Sequence, residues 1–521
     1  MTSRWIAAAA LVPTLAVLAV LNGGGYLYGA ADQAFYIPAV LRHLDPTLFP
    51  RDRVLIDSQD RLNLFTAALA AVARTTGLSL PSLLLAGYVV SMAGLFAGIL
   101  ALGRALALSP VAATGLGFAM TLRHRVAQTG ANTFESYFHP RVLAFAVGTW
   151  AAVALLRGCR GLAGGLVLVS ALVHPTTALW FVLWIGAASV LGAPARQRRW
   201  LLGGVGVAGA AAVWALTIGP LAGRLVRMDE EWVTLLAAKD YLFPHQWPWW
   251  AWLTSLAYPA VIAAAWRSRR RAGRMVPHER EVVVGALLLF AGLAAWVPLA
   301  EARVAIAVQL QVPRVLWVLD LLATAYALWW LADWRRGANG GQEARNAAAA
   351  VPGRRWRPAR PAAVAVTLTV AALSRGAFVK CVEHPGRPLV ALDLRADAWR
   401  DAMLWLSRRP APAHVLADPG HAWRYGSTVR VAAARDVLLE EVKDLSMAMY
   451  TREVATRVIE RQRAIGDFAS LTPGRARELA YRYELDYLVI DRPIDLPLAY
   501  RNERFQIYSL RDPQPSGGSI P

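Results

Sequence analysis

Apolar stretches broken by short charged turns recur from the N-terminus to about residue 379, and most approach the roughly 17 to 25 residues that a membrane-crossing helix needs. They predict about eleven helices, over 5–22, 80–103, 109–122, 141–157, 162–175, 177–194, 200–219, 249–266, 281–299, 313–332 and 361–379. Several are short enough to be tilted or re-entrant pieces. From about Lys380 the pattern changes and charged residues become dense. "ADAWRDAMLWLSRRP" has the period of a helix, "HVLADP" and "STVRVAAARDV" read as strands, and "RARELAYRYELDYLVIDRP" and "RFQIYSL" follow. Strands are expected at Val415 to Ala417 and Tyr487 to Ile490. The fold class predicted is mainly α: a polytopic membrane helix bundle over 1–379, with a long first loop at 23–79, then a small α/β domain over 380–521.

Composition agrees. With 56% hydrophobic residues, 17% charged and 21 Trp, the chain is too apolar for a soluble protein of this length. The formal net charge of +20 would suit nucleic acid if it formed one patch. Instead the basic residues sit in clusters between apolar runs, which argues against a nucleic-acid partner. The clusters are Arg157 with Arg160; Arg196, Arg198 and Arg199; Arg267, Arg269, Arg270, Arg271 and Arg274; and Arg335 and Arg336 through Arg360. All four fall on one side if the N-terminus is cytoplasmic, as the positive-inside rule requires. The first loop and the C-terminal domain are then extracytoplasmic. Richness in Ala, Arg, Gly and Trp is that of a high-GC bacterium, so the expected location is a bacterial cytoplasmic (inner) membrane. The first apolar run, with Arg4 before it, has the form of a signal peptide, but the many spans that follow favour a retained helix. The two cysteines, Cys159 and Cys381, have no metal-ligand spacing and fall on opposite sides of this topology, so no disulfide is expected.

"GVGVAG", Gly204 to Gly209, has the letters of a dinucleotide fingerprint, but it lies inside a predicted span with no soluble strand before it, and the match is rejected. Gly94 and Gly98 read as close helix packing. There is no Walker loop, nucleophile elbow or HExxH motif.

The outer loops carry the candidate chemistry. The first holds Asp32, Asp45, Asp52, Asp57 and Asp60 among aromatics. An acid just beyond a span is a functional candidate, and helix capping is the structural alternative for Asp32. The second, "RHRVAQTGANTFESYFHPRVLAF", holds Arg123, His124, Arg125, Glu135, His139 and Arg141. Arginines outside run against the positive-inside bias, which points to an anion such as a lipid-linked phosphate; pairing with neighbouring carboxylates or headgroups is the alternative. His139-Pro140 and His174-Pro175 start two helices, where proline suits the first turn and the histidines are left to hydrogen-bond or bind substrate. "VQLQVPRVLWVLD" places Arg314 at the mouth of another helix.

The stretches "YGAADQAFYIPAV", "ESYFHPRVLAF", "HPTTALWF" and "QLQVPRVLWVLD", with the tail "ELDYLVIDRP…RFQIYSL", give the chain an architecture that resembles the GT-C glycosyltransferases. These are multi-pass enzymes that use polyprenyl-phosphate sugars. The resemblance implies an inverting transfer to a glycan, lipid or protein acceptor, with Asp32 as catalytic base or metal ligand. Many members carry two acids together there. This chain has Asp32-Gln33, which counts against a divalent metal (Mg or Mn), the one cofactor the resemblance suggests; Glu135 is the candidate second carboxylate. By the same likeness Arg123, Arg125, Arg141 and Arg314, with His139 and His174, are expected to bind the substrate. The rival readings are a lipid-carrier transporter or flippase and a non-catalytic envelope-assembly protein. Transporters hide charge at mid-bilayer and show repeats, whereas here charge gathers at the outer mouths.

Overall fold

The computed structural model describes residues 2–334 and 359–511. The linker 335–358, with most of the fourth basic cluster, lies outside the described residues. The chain forms two compact units. The first comprises Met1–Tyr26, Ala86–Met228 and Lys239–Leu389; the second comprises Leu27–Leu85, Asp229–Ala238 and Val390–Pro521.

The first unit is helical. Each of the eleven predicted stretches is helix, but they are not alike in length. Six are long and apolar enough to cross a membrane: Leu80–Ala105, Pro175–Gly192, Ala195–Thr217, Glu279–Glu301, Ala305–Asp333 and Pro361–Glu383. Three more, Pro110–Met120, Pro140–Leu156 and Arg160–Val173, are apolar but only 11, 17 and 14 residues long. At 1.5 Å per residue they rise about 16 to 26 Å, against a hydrocarbon core of roughly 30 Å. The first helix runs Thr2–Asn22, 21 residues. The eleventh, Trp249–Arg271, ends in Arg269, Arg270 and Arg271. The expected count of about eleven crossings is not confirmed: among the described residues six helices are long and apolar enough by length and composition, with shorter apolar helices beside them.

Gly204 to Gly209 lie inside the helix Ala195–Thr217, away from any strand. Gly98 packs closely: a Cβ there would meet Trp150 Nε1 at 3.1 Å, and the same indole nitrogen donates to Gly94 O at 3.0 Å. Glycine lets the two backbones approach to this distance. The arginine-rich end of Trp249–Arg271 is tied internally. Arg269, 1% exposed, donates from Nε to Glu279 Oε1 at 2.6 Å and from Nη2 to Oε2 at 2.9 Å, and Tyr326 Oη donates to the same carboxylate at 3.1 Å.

The second unit is an α/β layer. Its five-stranded sheet runs, edge to edge, Asp436–Val437, His414–Leu416, Tyr487–Ile490, Gln506–Ser509 and Leu498–Arg501. The first three strands are parallel and the last two are added antiparallel. The helix Ala398–Ser407 starts at Asp397, whose carboxylate accepts from Arg400 N at 3.0 Å. It buries Trp399, Met403 and Leu406 against Val415, Val489 and Ile507. Both expected strands are present, the first shifted by one residue. "STVRVAAARDV" is a correction: only Asp436–Val437 is strand, and Val429–Ala432 is a helical turn. Thr428 caps that turn by accepting from Val431 N at 3.2 Å, which outweighs the β-branched pattern. The first loop contributes three helices to this unit, Gln33–Leu44, Arg53–Asp60 and Phe65–Thr76.

Candidate functional site

In the first unit the second loop is a hairpin. Arg125–Val126 pairs antiparallel with Ala131–Asn132, and Gln128 and Gly130 take positive φ to turn the chain. Thr129 Oγ1 donates to Val126 O at 2.8 Å and accepts from Ala131 N at 3.0 Å. The hairpin presents Asn132 and the following residues to the start of the helix Pro140–Leu156. There the Glu135 carboxylate, 4% exposed, accepts from Arg141 Nη2 at 2.8 Å, Arg123 Nη2 at 3.2 Å and Asn132 Nδ2 at 3.0 Å. Arg141 is itself 2% exposed. A buried guanidinium and carboxylate must pair, because each alone would be desolvated without compensation. Two arginines on one carboxylate leave the cluster with a net positive charge. Arg123 is the half-exposed member, with its side chain 34% accessible.

His139 and His174 cap the two helices their prolines begin. His139 Nδ1 accepts from Arg141 N at 3.1 Å, and His174 Nδ1 accepts from Thr177 N at 3.3 Å. Their rings lie 5.9 Å apart. Arg141 and Arg314 both act electrostatically on His174, so Arg314 belongs to the same neighbourhood; its Nε donates to Thr129 O at 3.3 Å. Arg125 is exposed on the hairpin. The structure thus gathers Arg123, Glu135, His139, Arg141, His174 and Arg314 and leaves Arg125 facing outward.

One charged group near this region was passed over in the sequence. Asp320, 5% exposed within the helix Val315–Leu328, accepts from His124 at 2.8 Å. Burial opposes the charged ring of His124, but the Asp320 hydrogen bond and charge overcome it and raise its pKa above the ordinary value. An acid inside an apolar run was the signal for this pair.

In the second unit the five loop aspartates separate by environment. Asp45 accepts from Thr47 N and Oγ1 at 3.0 and 2.7 Å in an exposed turn. Asp57 pairs with Arg42 and Arg53, and Asp60 with His43 at 2.9 Å and with Thr66. Asp52 is fully buried. It accepts from Arg430 Nε at 2.7 Å and from Arg457, with Arg461 3.9 Å away. Burial resists its ionisation, yet Arg430 and then Arg457 hold the carboxyl well below the usual carboxylate range. The fork of Arg430 also grips Asp444 at 2.6 and 3.0 Å. Around this network burial, and then the charge of Asp52, push Asp436 up to about 6. Burial, followed by Asp444, pushes Glu440 up to about 7.

Asp32 is different. It occupies the N-cap position of Gln33–Leu44, but its side chain caps nothing. Instead Oδ1 accepts from Lys443 Nζ at 3.1 Å, with the two side chains 29% and 15% exposed. Just before the helix, Gly29 takes φ +73° and its missing Cβ leaves room for Leu394 and Val431. Gly29 N donates to Gln33 Oε1 at 2.7 Å, which ties the turn to the helix start. At this carboxylate Asp32 faces an ammonium and the Gln33 oxygen is engaged by Gly29 N; among the described residues no group of three or more His, Cys, Asp or Glu side chains is placed to hold a metal.

No family model matches the chain, and no curated protein sequence matches it. A solved structure of the archaeal oligosaccharyltransferase AglB from Archaeoglobus fulgidus, in complex with an inhibitory peptide and a dolichol-phosphate, is similar to it with a TM-score of 0.50 and 11% identity, over 94% of this chain and 70% of that one. The long helices and this likeness make the chain a multi-pass membrane protein whose fold is similar to that of the archaeal oligosaccharyltransferase AglB.

Proposed function

We propose that this protein is an inverting glycosyltransferase that moves a sugar from a polyprenyl-phosphate donor to an acceptor at the outer face of the cytoplasmic membrane. The observation that carries the reading is the Arg123–Glu135–Arg141 cluster, with Arg314 in its neighbourhood. A net positive, partly buried set of guanidiniums suits a phosphate, which it meets through charge-assisted hydrogen bonds. The neighbour's dolichol-phosphate is a lipid of the matching class. In the reaction an acceptor hydroxyl oxygen bonds to the anomeric carbon as the bond from that carbon to the phosphate oxygen breaks. The hydroxyl proton passes to Asp32, and the phosphate leaves with the electron pair and one more negative charge. Arginines fixed beforehand stabilise that growing charge. Glu135 and Arg141 anchor the cluster, and Arg123 and Arg314 face the phosphate.

The test uses full-length protein in detergent and a panel of synthetic polyprenyl-phosphate hexoses and pentoses, with water as the surrogate acceptor. Release of polyprenyl phosphate from one of them is expected. No release from any, together with no saturable binding of polyprenyl phosphate, overturns the reading. Arg123→Gln and Arg314→Gln should each weaken polyprenyl phosphate binding by roughly 10- to 100-fold, or about 1.4 to 2.7 kcal/mol. Unchanged affinity in both would remove the cluster from the site.

The same reading sets the N-terminus inside and the C-terminal segment outside, on the charge rule. Cys159 and Cys381 are both free and exposed. An impermeant thiol reagent on intact cells should modify Cys381 and spare Cys159; labelling of Cys159 alone reverses the topology.

A further inference from the structure

We infer that Lys443 supplies the cation beside which Asp32 works, so that a lysine ammonium takes the place of a divalent metal at this carboxylate. The inference rests on the reading of Asp32 as the base.

Two contacts hold the ammonium. Nζ donates to Asp32 Oδ1 at 3.1 Å and lies 5.4 Å from the centre of the Phe35 ring, where the face of the ring attracts a cation. Phe35 follows Asp32 by three residues, so both contacts come from the start of one helix. The backbone of Lys443 is fixed as well. Lys443 N donates to Glu440 Oε2 at 2.8 Å as the helix Glu441–Met447 begins. The next residue, Asp444, is gripped by Arg430, which also holds the buried Asp52. A lysine between two anchored residues and against an aromatic ring is positioned before substrate arrives.

Chemistry then separates the two kinds of cation. A magnesium or manganese ion asks for several oxygen ligands in near-octahedral order. Asp32 is followed by Gln33, whose side-chain oxygen already accepts from Gly29 N. A divalent ion at Asp32 would also have to displace or adjoin the Lys443 ammonium, and like charges at that separation repel. The ammonium orients the carboxylate, which is the part of a metal's work that a positioned proton acceptor uses. Glu440 and Arg430 are charged groups beside this helix, which itself carries Glu441 and Asp444 and packs against the charged helices Arg53–Asp60, Glu230–Leu236 and Arg452–Ile465. Arg430 is shared between Asp444 and Asp52, and Lys443 is placed on Asp32.

The experiment uses the full chain in detergent and whichever donor of the panel the parent turns over. Turnover in EDTA should equal turnover without it, and titration with manganese followed by electron paramagnetic resonance should show no saturable site that Asp32→Asn removes. Lys443→Met should slow turnover by about 10- to 100-fold, as loss of a group acting on proton transfer does, with the donor KM within about twofold. Lys443→Arg should recover most of that rate and Lys443→Gln little of it, a rescue that a merely structural role does not predict. Lys443→Met at the parent rate beside an inactive Asp32→Asn overturns the inference alone, as does abolition of turnover by EDTA. Asp32→Asn at the parent rate overturns the base assignment and this inference with it.

Discussion

Arg430→Met should destabilise the second unit by about 3 to 5 kcal/mol, the usual result of removing one partner from a buried ion pair. The substitution keeps much of the side-chain length but strips Asp52 and Asp444 of a guanidinium that contacts both. Asp52 is 0% exposed and would be left on Arg457 and a distant Arg461. Proteolysis of the detergent-solubilised protein reads the change directly: fragments cut within residues 390–511 should appear at temperatures where the parent resists. Acid should act on the same network. The Asp52 carboxyl titrates below its unfolded value, so its contribution is present above about pH 4 and is lost as pH falls through the folded pKa. The melting midpoint of the parent should begin to drop below about pH 4 and go on falling with further acid, and that drop should be smaller in Asp52→Asn. Equal acid sensitivity in both proteins would assign the effect to other carboxyls.

Asp32→Asn should lower donor turnover by roughly 10² to 10⁴, the range for removal of a general base. Asparagine retains the shape and one acceptor oxygen, so Lys443 keeps a hydrogen bond and Gln33–Leu44 keeps its start. Folding is therefore expected to survive, with a melting midpoint within a few degrees of the parent. A folded variant that releases polyprenyl phosphate at the parent rate would end the assignment. Of the five loop acids, Asp52 is committed to buried arginines, and Asp45, Asp57 and Asp60 are engaged by Thr47, Arg42 and His43. Asp32, partly exposed and paired with Lys443, is the acid to test first because the resemblance places the base there.

Helices were legible because an apolar run of sufficient length has few alternatives once the backbone must satisfy itself in lipid. Which of them cross was less legible, because hydropathy marks Pro110–Met120 and Arg160–Val173 as apolar although they are shorter than the six candidate spans. In the C-terminal segment "ELDYLVI" followed a helix in the order an α/β layer requires, and its strand was legible at Tyr487–Ile490. "STVRV" misled because valines and a threonine suit a strand, while Thr428 spends its hydroxyl on a helix cap. The His-Pro pairs revealed two helix starts, although the rings proved to be caps themselves. Arg123, Glu135 and Arg141 fall within 19 consecutive residues and could be grouped by eye. Lys443 could not be matched to Asp32 across 411 residues, nor Arg430 to Asp52 across 378. A single sequence carries no mark of a pair that only the fold brings together.

Those separations set a timetable for biogenesis. At about 5 to 20 residues per second, the ribosome needs on the order of 20 to 75 seconds to advance from Asp52 to Arg430. For that interval the nascent chain carries a carboxylate whose burial has no counter-ion, together with apolar faces of Gln33–Leu44 and Arg53–Asp60 whose covering segment has not been made. Every helix of the first unit after Thr2–Asn22 is synthesised in the meantime. The early loop must therefore wait, held open or chaperoned, and close late as a post-translational step. A chain truncated shortly before residue 430 would hold all the long apolar helices and still be unable to complete that closure, so it should be cleared by quality control despite correct insertion.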